Sequence, residues 1–343
     1  MHLHTVVRIA VLASALASAT CGSSSSAPGG GSAPSPSATS VAGNGTYFPA
    51  GAIWSTVVTD ATVDPQSAEI IAWLDQRGWG IGRFQIDFSL DVLHADAATP
   101  LQEFVATDDF FEPDCDHLPV PVPAGGNVEG EDGYACLGDG DCHLIVVDDS
   151  RRRLFEMWRA DIRGTQFRGG CLAVWDLARV YDAKGRGLQC TSADAAGYPI
   201  APLLFTADEV AAGSIAHAIR FILPNSSIRR GEIVPPATHG TNATSGPRSA
   251  PPYGARLRLR RDYPLASLPN EAARVVARAL QRYGMFLADG GRVPLTAQSD
   301  RHTRAKWDGL LGSRDLAAIR PGDFEVLRMQ DSMPLSDSCV REP

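Results

Sequence analysis

Residues 143–160 read HLIVVDDSRRRLFEMWRA, and this stretch carries a strong β-strand pattern. His143–Val147 predicts one strand and Arg153–Ala160 predicts the next, because both segments are rich in β-branched, aromatic and other apolar residues. Residues 148–150, which read DDS, form the predicted turn between them with the arginines that follow.

The strand pattern continues on both sides of this stretch. It recurs at residues 80–93, 172–177, 215–223, 255–260 and 323–327. Helical patterns occupy residues 64–78 and 270–291, the second capped by Asn270 and ended by the glycines at 290 and 291. Because strands dominate and do not alternate regularly with helices, we expect a mainly β fold, a β-sandwich or jelly-roll-like domain with a few packed helices.

The first 46 residues have the composition of a leader and a spacer. Residues 1–21 combine Arg8 with the uncharged run Ile9–Ala19, which is shorter than the about 20 apolar residues that span a bilayer and predicts a signal peptide. Residues 22–46 are rich in Ser, Gly, Ala, Pro and Thr and are expected to stay flexible. We expect one β-rich globular domain over 47–330 and a tail over 331–343.

The end of the leader, LASATCG at residues 16–22, resembles the lipobox of bacterial lipoproteins. In that family the cysteine is diacylated and becomes the new N-terminus. The resemblance therefore implies lipidation of Cys21 and a membrane-anchored protein that faces the periplasm or the cell surface. The alternative is an ordinary signal peptide cleaved nearby, with Cys21 incidental. Both readings predict export.

Charge and cysteine content narrow the class of protein. The formal net charge of −8 argues against a nucleic-acid partner, which would require a basic surface. Six cysteines remain beyond Cys21, and an even number in an exported chain predicts up to three disulfides of unknown pairing. We expect at least one of them in the loop over residues 106–142, which is rich in Asp, Gly, Pro and Cys. Zinc is not expected, because no CxxC pair is present.

Five segments resemble a group of secreted bacterial proteins of unassigned activity. They are CTSADAAGYPI at 190–200, GSIAHAIRF at 213–221, GDFE at 322–325, HLIVVD at 143–148 and AVWDL at 173–177. The resemblance extends over most of residues 47–328. It implies one folded unit and leaves the chemistry open.

Two carboxyl groups beside tryptophans are the first candidates for catalysis. Glu156 and Trp158 share one face of a predicted strand, and a carboxyl beside an indole is typical of a sugar site. Asp176 follows Trp175 on another predicted strand and would supply the second carboxyl that glycoside hydrolysis needs. The alternatives are a cross-strand ion pair and a core tryptophan for Glu156, and a strand-end acceptor of backbone N–H groups for Asp176.

The remaining candidates come from the two longest segments of the resemblance. Asp194 is either a general base or a helix N-cap. His217 and Arg220 face opposite sides of a predicted strand, and His217 is either catalytic or a satisfied core histidine. His143, at the start of its strand, could also shuttle protons. We place Trp158, Trp175, Arg220 and His143 among the substrate-binding residues.

These patterns favour a carbohydrate-active enzyme on extracellular or cell-envelope polysaccharide, a glycoside hydrolase that uses carboxylates. The first alternative is a polysaccharide-binding module that depends on tryptophans such as Trp307. The second is a polysaccharide lyase, with His217 or a tyrosine as base and Arg220 neutralising a uronate. We expect a monomer without a cofactor. Calcium is the one metal that we keep as a candidate, with the loop carboxylates of Asp114, Asp116, Asp139 and Asp141 as its ligands.

Overall fold

The computed structural model describes residues 47–342, so the predicted leader, Cys21 and the spacer lie outside the described residues. The strands are β1 (Ile86–Leu90), β2 (Leu93–Ala95), β3 (Leu101–Gln102), β4 (Val105–Ala106), β5 (Val120–Pro121), β6 (Leu144–Asp148), β7 (Arg153–Met157), β8 (Asp161–Arg163), β9 (Gln166–Gly169), β10 (Leu172–Asp176), β11 (Gly187–Leu188), β12 (Ile219–Leu223), β13 (Glu232–Ile233), β14 (Arg256–Leu259), β15 (Met285–Gly290), β16 (Leu295–Gln298), β17 (Phe324–Val326), β18 (Met333–Pro334) and β19 (Val340–Arg341).

The helices of the described chain are α1 (Ser67–Asp75), α2 (Ala207–Ala211) and α3 (Glu271–Arg282). Short 3-10 turns lie at Ile53–Ser55, Ala201–Leu203, Asn225–Ser227, Leu265–Ser267 and Pro321–Asp323. Strands outnumber helices and form several sheets, which confirms the predicted mainly β class.

The largest sheet has six strands in the order β1-β16-β12-β15-β14-β17 and is mixed. Its central strands β12 and β15 run parallel, so their carboxyl ends meet at one edge. Arg220 lies on β12, and Asp289 lies near the end of β15 opposite Ile222. Arg220 is near the start of β12, opposite Phe286, and its long side chain reaches Asp289 Oδ2 at 3.3 Å.

The 143–160 stretch forms the predicted pair of strands, and they are antiparallel. β6 and β7 pair over their full length, with Ile145 opposite Glu156, in a four-stranded sheet of order β10-β7-β6-β2. One face of this sheet joins the main core through residues such as Leu154 and Trp175. The other face packs into a second core around Phe155 and Met157. Burial of both faces explains why these strands carry almost continuous apolar runs.

The helix predicted over 270–291 is shorter in the structure, and the difference matters for the site. Asn270 caps α3 as predicted, accepting a 2.8 Å hydrogen bond from the Ala273 N–H. The helix ends at Arg282, and Gly284 follows with a φ of +69°, a conformation that favours glycine. The predicted end at Gly290-Gly291 is therefore wrong, and residues 285–290 form the strand β15 instead.

Three disulfides connect the loops of the described chain: Cys115–Cys171, Cys136–Cys142 and Cys190–Cys339. They confirm the predicted stapling of the 106–142 loop and indicate an oxidising, exported environment. The segment predicted as a tail is attached to the domain, because β18 pairs with β13, β19 pairs with β11, and Cys339 is bonded to Cys190. Within residues 47–342 no helix has the length and apolar character needed to cross a membrane.

Candidate functional site

A cavity of about 760 Å³ opens between the loops at the carboxyl edge of β12 and β15, and we call it the acidic cavity. Six of its lining side chains carry carboxyl groups, and its lining includes no lysine or arginine. The carboxyl-bearing residues are Glu112, Asp114, Asp141, Asp194, Asp289 and Asp337. Its volume falls in the range of about 300–1,000 Å³ that small-molecule sites occupy.

All three disulfides brace the wall of the acidic cavity. Cys171 lines it and is bonded to Cys115, beside the wall residue Asp114. Cys142 follows Asp141, and Cys190 lies between wall residues 189 and 191. A wall built mainly from loops is therefore covalently fixed, and catalysis and binding both require such fixed geometry.

The two longest segments of the sequence resemblance meet at the bottom of the cavity. Asp194 Oδ1 accepts a 2.6 Å hydrogen bond from Arg220 Nη2, and both side chains are almost completely buried. The same nitrogen lies 3.3 Å from Asp289 Oδ2, whose side chain is partly exposed to the cavity. One guanidinium group thus holds two carboxyl groups together.

The electrostatics of this trio keep a proton on Asp194 at neutral pH. Burial raises the pKa of Asp194 to about 8; Arg220 opposes this rise, while the charge of Asp289 and a hydrogen bond with Asp289 add to it. Burial also raises the pKa of Asp289, and Arg220 opposes that rise. Asp194 Oδ2 accepts no hydrogen bond from an N–H or O–H group of the described chain, so its protonated form pairs naturally with Asp289.

A second buried pair holds the loop that carries Asp194. His143 Nδ1 lies 2.6 Å from Glu129 Oε2, and His143 Nε2 lies 3.0 Å from the carbonyl oxygen of Ala193. Burial alone would lower the pKa of His143, but the charge and hydrogen bond of Glu129 raise it to about 9. Burial alone would raise the pKa of Glu129, but His143 lowers it to about 2. His143 is therefore a cation at neutral pH that donates to Glu129 and to the residue before Asp194.

Trp158 lines the acidic cavity, as expected of a substrate-binding residue, but its carboxyl partner differs from the predicted one. Its indole Nε1 donates to Asp141 Oδ1 at 3.0 Å. Arg159 lies over the ring, with its guanidinium carbon 5.1 Å from the ring centroid. The combination of a carboxylate and an indole that the sequence predicted at Glu156 and Trp158 is thus formed by Asp141 and Trp158.

Glu156 lies in the main core, where it ties the four-stranded sheet to the turn Ala201–Leu203. Its Oε1 accepts hydrogen bonds from the backbone N–H groups of Ile200 and Ala201, each at 2.8 Å. Its Oε2 accepts a 3.1 Å bond from the indole of Trp175, and neither side chain is exposed to solvent. Burial raises the pKa of Glu156 to about 7. Trp175 is completely buried and lies outside the lining of the acidic cavity, and Glu156 has the contacts of a structural carboxyl.

Asp176 cannot act with Glu156 on one bond. Glu156 pairs with Ala173 and Asp176 pairs with Arg153, so the two acids are three positions apart along the sheet and project from opposite faces. Asp176 forms a 2.6 Å ion pair with Arg153 and accepts a hydrogen bond from the Ala178 N–H. Glu156 and Asp176 are therefore not placed as the predicted acid/base pair. The contacts of Asp176 are those of a strand-end acceptor of backbone N–H groups.

His217 and Trp307 also lie outside the cavity lining. His217 lies two residues before β12 and is fully buried, with Nδ1 2.7 Å from the Ala218 carbonyl oxygen and Nε2 3.3 Å from Glu209 Oε1. Trp307 is buried and donates its indole N–H to the carbonyl oxygen of Gln298 at 2.9 Å. Both contact patterns are those of core residues.

Two of the loop acids considered for calcium are held by other groups of the protein. Asp116 binds Arg186 at 2.6 Å and Arg341 at 2.8 Å, and Asp114 accepts a bond from the Thr191 N–H. Among residues 47–342 no group of three or more histidine, cysteine or acidic side chains is placed to hold a metal ion.

Several polar atoms in the cavity wall have no partner within the described chain. They are Asp194 Oδ2, Asn225 Oδ1, Thr241 Oγ1 and Tyr253 Oη, all shielded from bulk solvent. Buried polar atoms are rarely left without hydrogen bonds, and an exception marks a site where a ligand or ordered water completes them. Asp194 and Tyr253 are each at least 99 % buried, so this wall is built to contact a polar molecule.

The comparisons with known proteins do not identify the chain: no protein-family model, curated protein or solved structure matches it. The site is therefore defined by its geometry. Sequence reasoning had selected Asp194, Arg220, His143 and Trp158, and the structure brings these four to the acidic cavity or directly beneath it. It had missed Asp289 and Glu129, and it had placed Asp141 only among the acids considered for calcium.

Proposed function

We propose that the protein is a glycoside hydrolase that acts on extracellular or cell-envelope polysaccharide, exported and tethered through a lipid on Cys21. The observation that carries the proposal is the buried trio of Asp194, Arg220 and Asp289 at the bottom of a large polar cavity that Trp158 also lines, where burial raises the pKa of Asp194 to about 8. A protonated carboxyl is what protonation of a glycosidic oxygen requires at neutral pH.

The two members of this pair act as one acid unit. Carboxyl groups that flank a glycosidic bond in retaining enzymes stand about 5–5.5 Å apart, and in inverting enzymes about 6.5–9.5 Å. Asp194 and Asp289 bind the same nitrogen of Arg220, at 2.6 Å and 3.3 Å, so they lie side by side and act from one side of the cleaved bond. The second carboxylate must therefore come from elsewhere in the cavity, and we assign it to Asp141 because it lies beside the stacking surface of Trp158.

In the proposed reaction Asp194 gives its proton to the glycosidic oxygen as the bond from that oxygen to the anomeric carbon breaks. Water attacks the anomeric carbon, and Asp141 accepts the proton that the water loses. Arg220 stabilises the negative charge left on Asp194 and Asp289. Trp158 offers an aromatic surface on which a sugar ring stacks.

The electrostatics of the cavity weigh against the lyase alternative. Arg220, beneath the cavity, is already bound by two carboxyl groups, and the lining itself has no lysine or arginine. A uronate would meet carboxylates there, which is repulsive. His217, the base considered for a lyase, does not line the cavity.

A glycan screen of the purified protein tests the proposal. Incubation with a panel of neutral, amino and uronate polysaccharides is read by release of reducing ends and by absorbance of unsaturated products. Reducing ends without unsaturated products support hydrolysis. Unsaturated products would establish a lyase instead, and binding without any product would establish a binding module.

A further inference from the structure

Four carboxylates surround the entrance of the acidic cavity, and we call them the rim carboxylates: Glu112, Asp114, Asp141 and Asp337. Glu112, Asp141 and Asp337 are exposed and Asp114 is half-buried. Among residues 47–342 none of the four forms an ion pair with a lysine or an arginine. Arg186 and Arg341, which approach the same loop, bind the carboxylate of Asp116 and the carbonyl oxygen of Asp114.

The charge of the rim is therefore not neutralised by the protein. A cleft lined by charges of one sign concentrates its field and attracts ligands of the opposite sign. The rim leads inward to Tyr253 Oη, which is buried and without a hydrogen-bond partner in the described chain. The acidic surface thus surrounds a built polar site.

From this arrangement we infer that the substrate is a glycan that carries free, positively charged amino groups. The inference rests on the proposed function and specifies its substrate class. Ammonium groups on sugars next to the cleaved bond would lie against the rim carboxylates, while the ring at the bottom of the cavity contacts Asp194 and Tyr253. N-acetylation would remove the charge, and a uronate would reverse it.

The test compares three oligosaccharides of equal length: a glucosamine hexamer, an N-acetylglucosamine hexamer and a galacturonate hexamer. At low ionic strength we expect kcat/KM for the glucosamine hexamer to exceed that for the acetylated hexamer by about tenfold or more, within the range of electrostatic attraction in charged clefts. The preference should shrink as salt is raised to about 0.5 M, because added ions screen exposed charges. The galacturonate hexamer should be neither bound nor cleaved.

Two variants assign the preference to the rim. Glu112→Gln and Asp337→Asn should each lower kcat/KM for the glucosamine hexamer roughly two- to fivefold, the size of an exposed charge pair. Neither should change the rate on the acetylated hexamer, since both residues are exposed and outside the proposed chemistry. Asp262→Asn is the matched control, because Asp262 is an exposed carboxylate outside the cavity lining.

Calorimetric binding of the same oligosaccharides separates this inference from the proposed function. Hydrolysis of neutral or anionic hexamers at least as efficient as that of the cationic one would overturn the inference and leave the hydrolase standing. Rim-dependent binding of the cationic hexamer without cleavage would support the ligand class and overturn the hydrolase. Absence of both binding and cleavage for all three would overturn the inference.

Discussion

Asp194 Oδ1 accepts a buried 2.6 Å hydrogen bond from Arg220 Nη2, which joins the two longest segments of the sequence resemblance, 26 residues apart in the chain. Arg220 also lies 3.3 Å from Asp289, so this single guanidinium organises both acids of the proposed acid unit. Burial of these three ionisable groups destabilises the fold unless their charges neutralise one another. With a proton on Asp194, the positive charge of Arg220 is neutralised by the negative charge of Asp289.

The first prediction concerns the pH dependence of turnover. Asp194 acts in its protonated form, and its pKa is raised to about 8. We expect kcat/KM to fall as the pH rises through about 8, because the active form loses its proton there. A profile between about pH 6.5 and 10, measured on the substrate found in the glycan screen, checks this. A rate independent of pH across that window would contradict the assignment of Asp194 as the acid.

The second prediction separates structural from catalytic carboxyls. Both carboxyl oxygens of Glu156 accept hydrogen bonds, one from the backbone N–H groups of Ile200 and Ala201 and the other from the Trp175 indole. In Glu156→Gln an N–H₂ group replaces one of these oxygens and cannot accept, so a buried donor loses its partner. We expect a loss of about 1–3 kcal/mol in the free energy of unfolding, with turnover per folded molecule unchanged within about twofold. Urea unfolding and kinetics measure both quantities.

Trp175→Phe supplies the control for this variant, because it removes the indole donor. In a double-mutant cycle the two substitutions should be non-additive, as expected of side chains in contact. Turnover reduced about a hundredfold in Glu156→Gln at an unchanged melting temperature would restore Glu156 as a catalytic residue.

The third prediction concerns His143 as a positioning residue. The folded-state pKa of His143 is raised to about 9 from 6.5, so its contribution to stability is complete below pH 6.5 and is lost as the pH rises through 9. The pKa of Glu129 is lowered to about 2 from 4.5, so its contribution is present above 4.5 and is lost as the pH falls toward 2. The pair therefore stabilises the fold most fully between pH 4.5 and pH 6.5, where both contributions are complete.

His143→Gln should therefore destabilise the protein more at pH 5.5 than at pH 9.5, as measured by urea unfolding. It should lower kcat about tenfold with little change in KM, because the loop that carries Asp194 loses its anchor at Ala193. The alkaline limb near pH 8 should remain, since it belongs to Asp194. Equal destabilisation at both pH values would contradict the protonated pair, and loss of the limb would reassign it to His143.

Several strands, among them β6, β7, β10, β14 and β17, and a disulfide in the 106–142 loop could be predicted from the sequence, because periodicity, β-branched residues and turn residues act locally. The candidate residues Asp194 and Arg220 were also found, through the segments that contain them. Their hydrogen bond was not, because it depends on how β12 packs beside β15. Which acid accompanies which tryptophan is equally a property of tertiary packing, as the Asp141–Trp158 and Glu156–Trp175 pairs show.

Asp289 was missed for a local reason. The apolar residues that follow α3 continue its pattern, and a short apolar run does not distinguish a helix from a strand. The decisive signal is Gly284, whose positive φ ends the helix and frees residues 285–290 to form a central strand. A strand in that place brings Asp289 to the cavity.

The fourth prediction concerns the membrane anchor. Cys21→Ala expressed in a bacterial host should move the protein from the membrane fraction to the soluble exported fraction, because the acylated thiol is lost and no other anchor is proposed. Ser24→Ala is the matched control and should leave the fractionation unchanged. Retention of the Cys21→Ala protein in the membrane fraction would exclude lipidation as the anchor.

The central claim is that the acidic cavity carries out hydrolysis through the Asp194–Asp289 unit. Its most direct test is kcat of Asp194→Asn on the substrate found in the glycan screen, beside Glu156→Gln as the buried control outside the cavity. We expect Asp194→Asn to lose about 10²–10⁴ in kcat, the usual cost of removing a general acid, with a melting temperature within a few degrees of that of the unmodified protein. Unchanged turnover in Asp194→Asn would exclude the Asp194–Asp289 unit as the source of the proton.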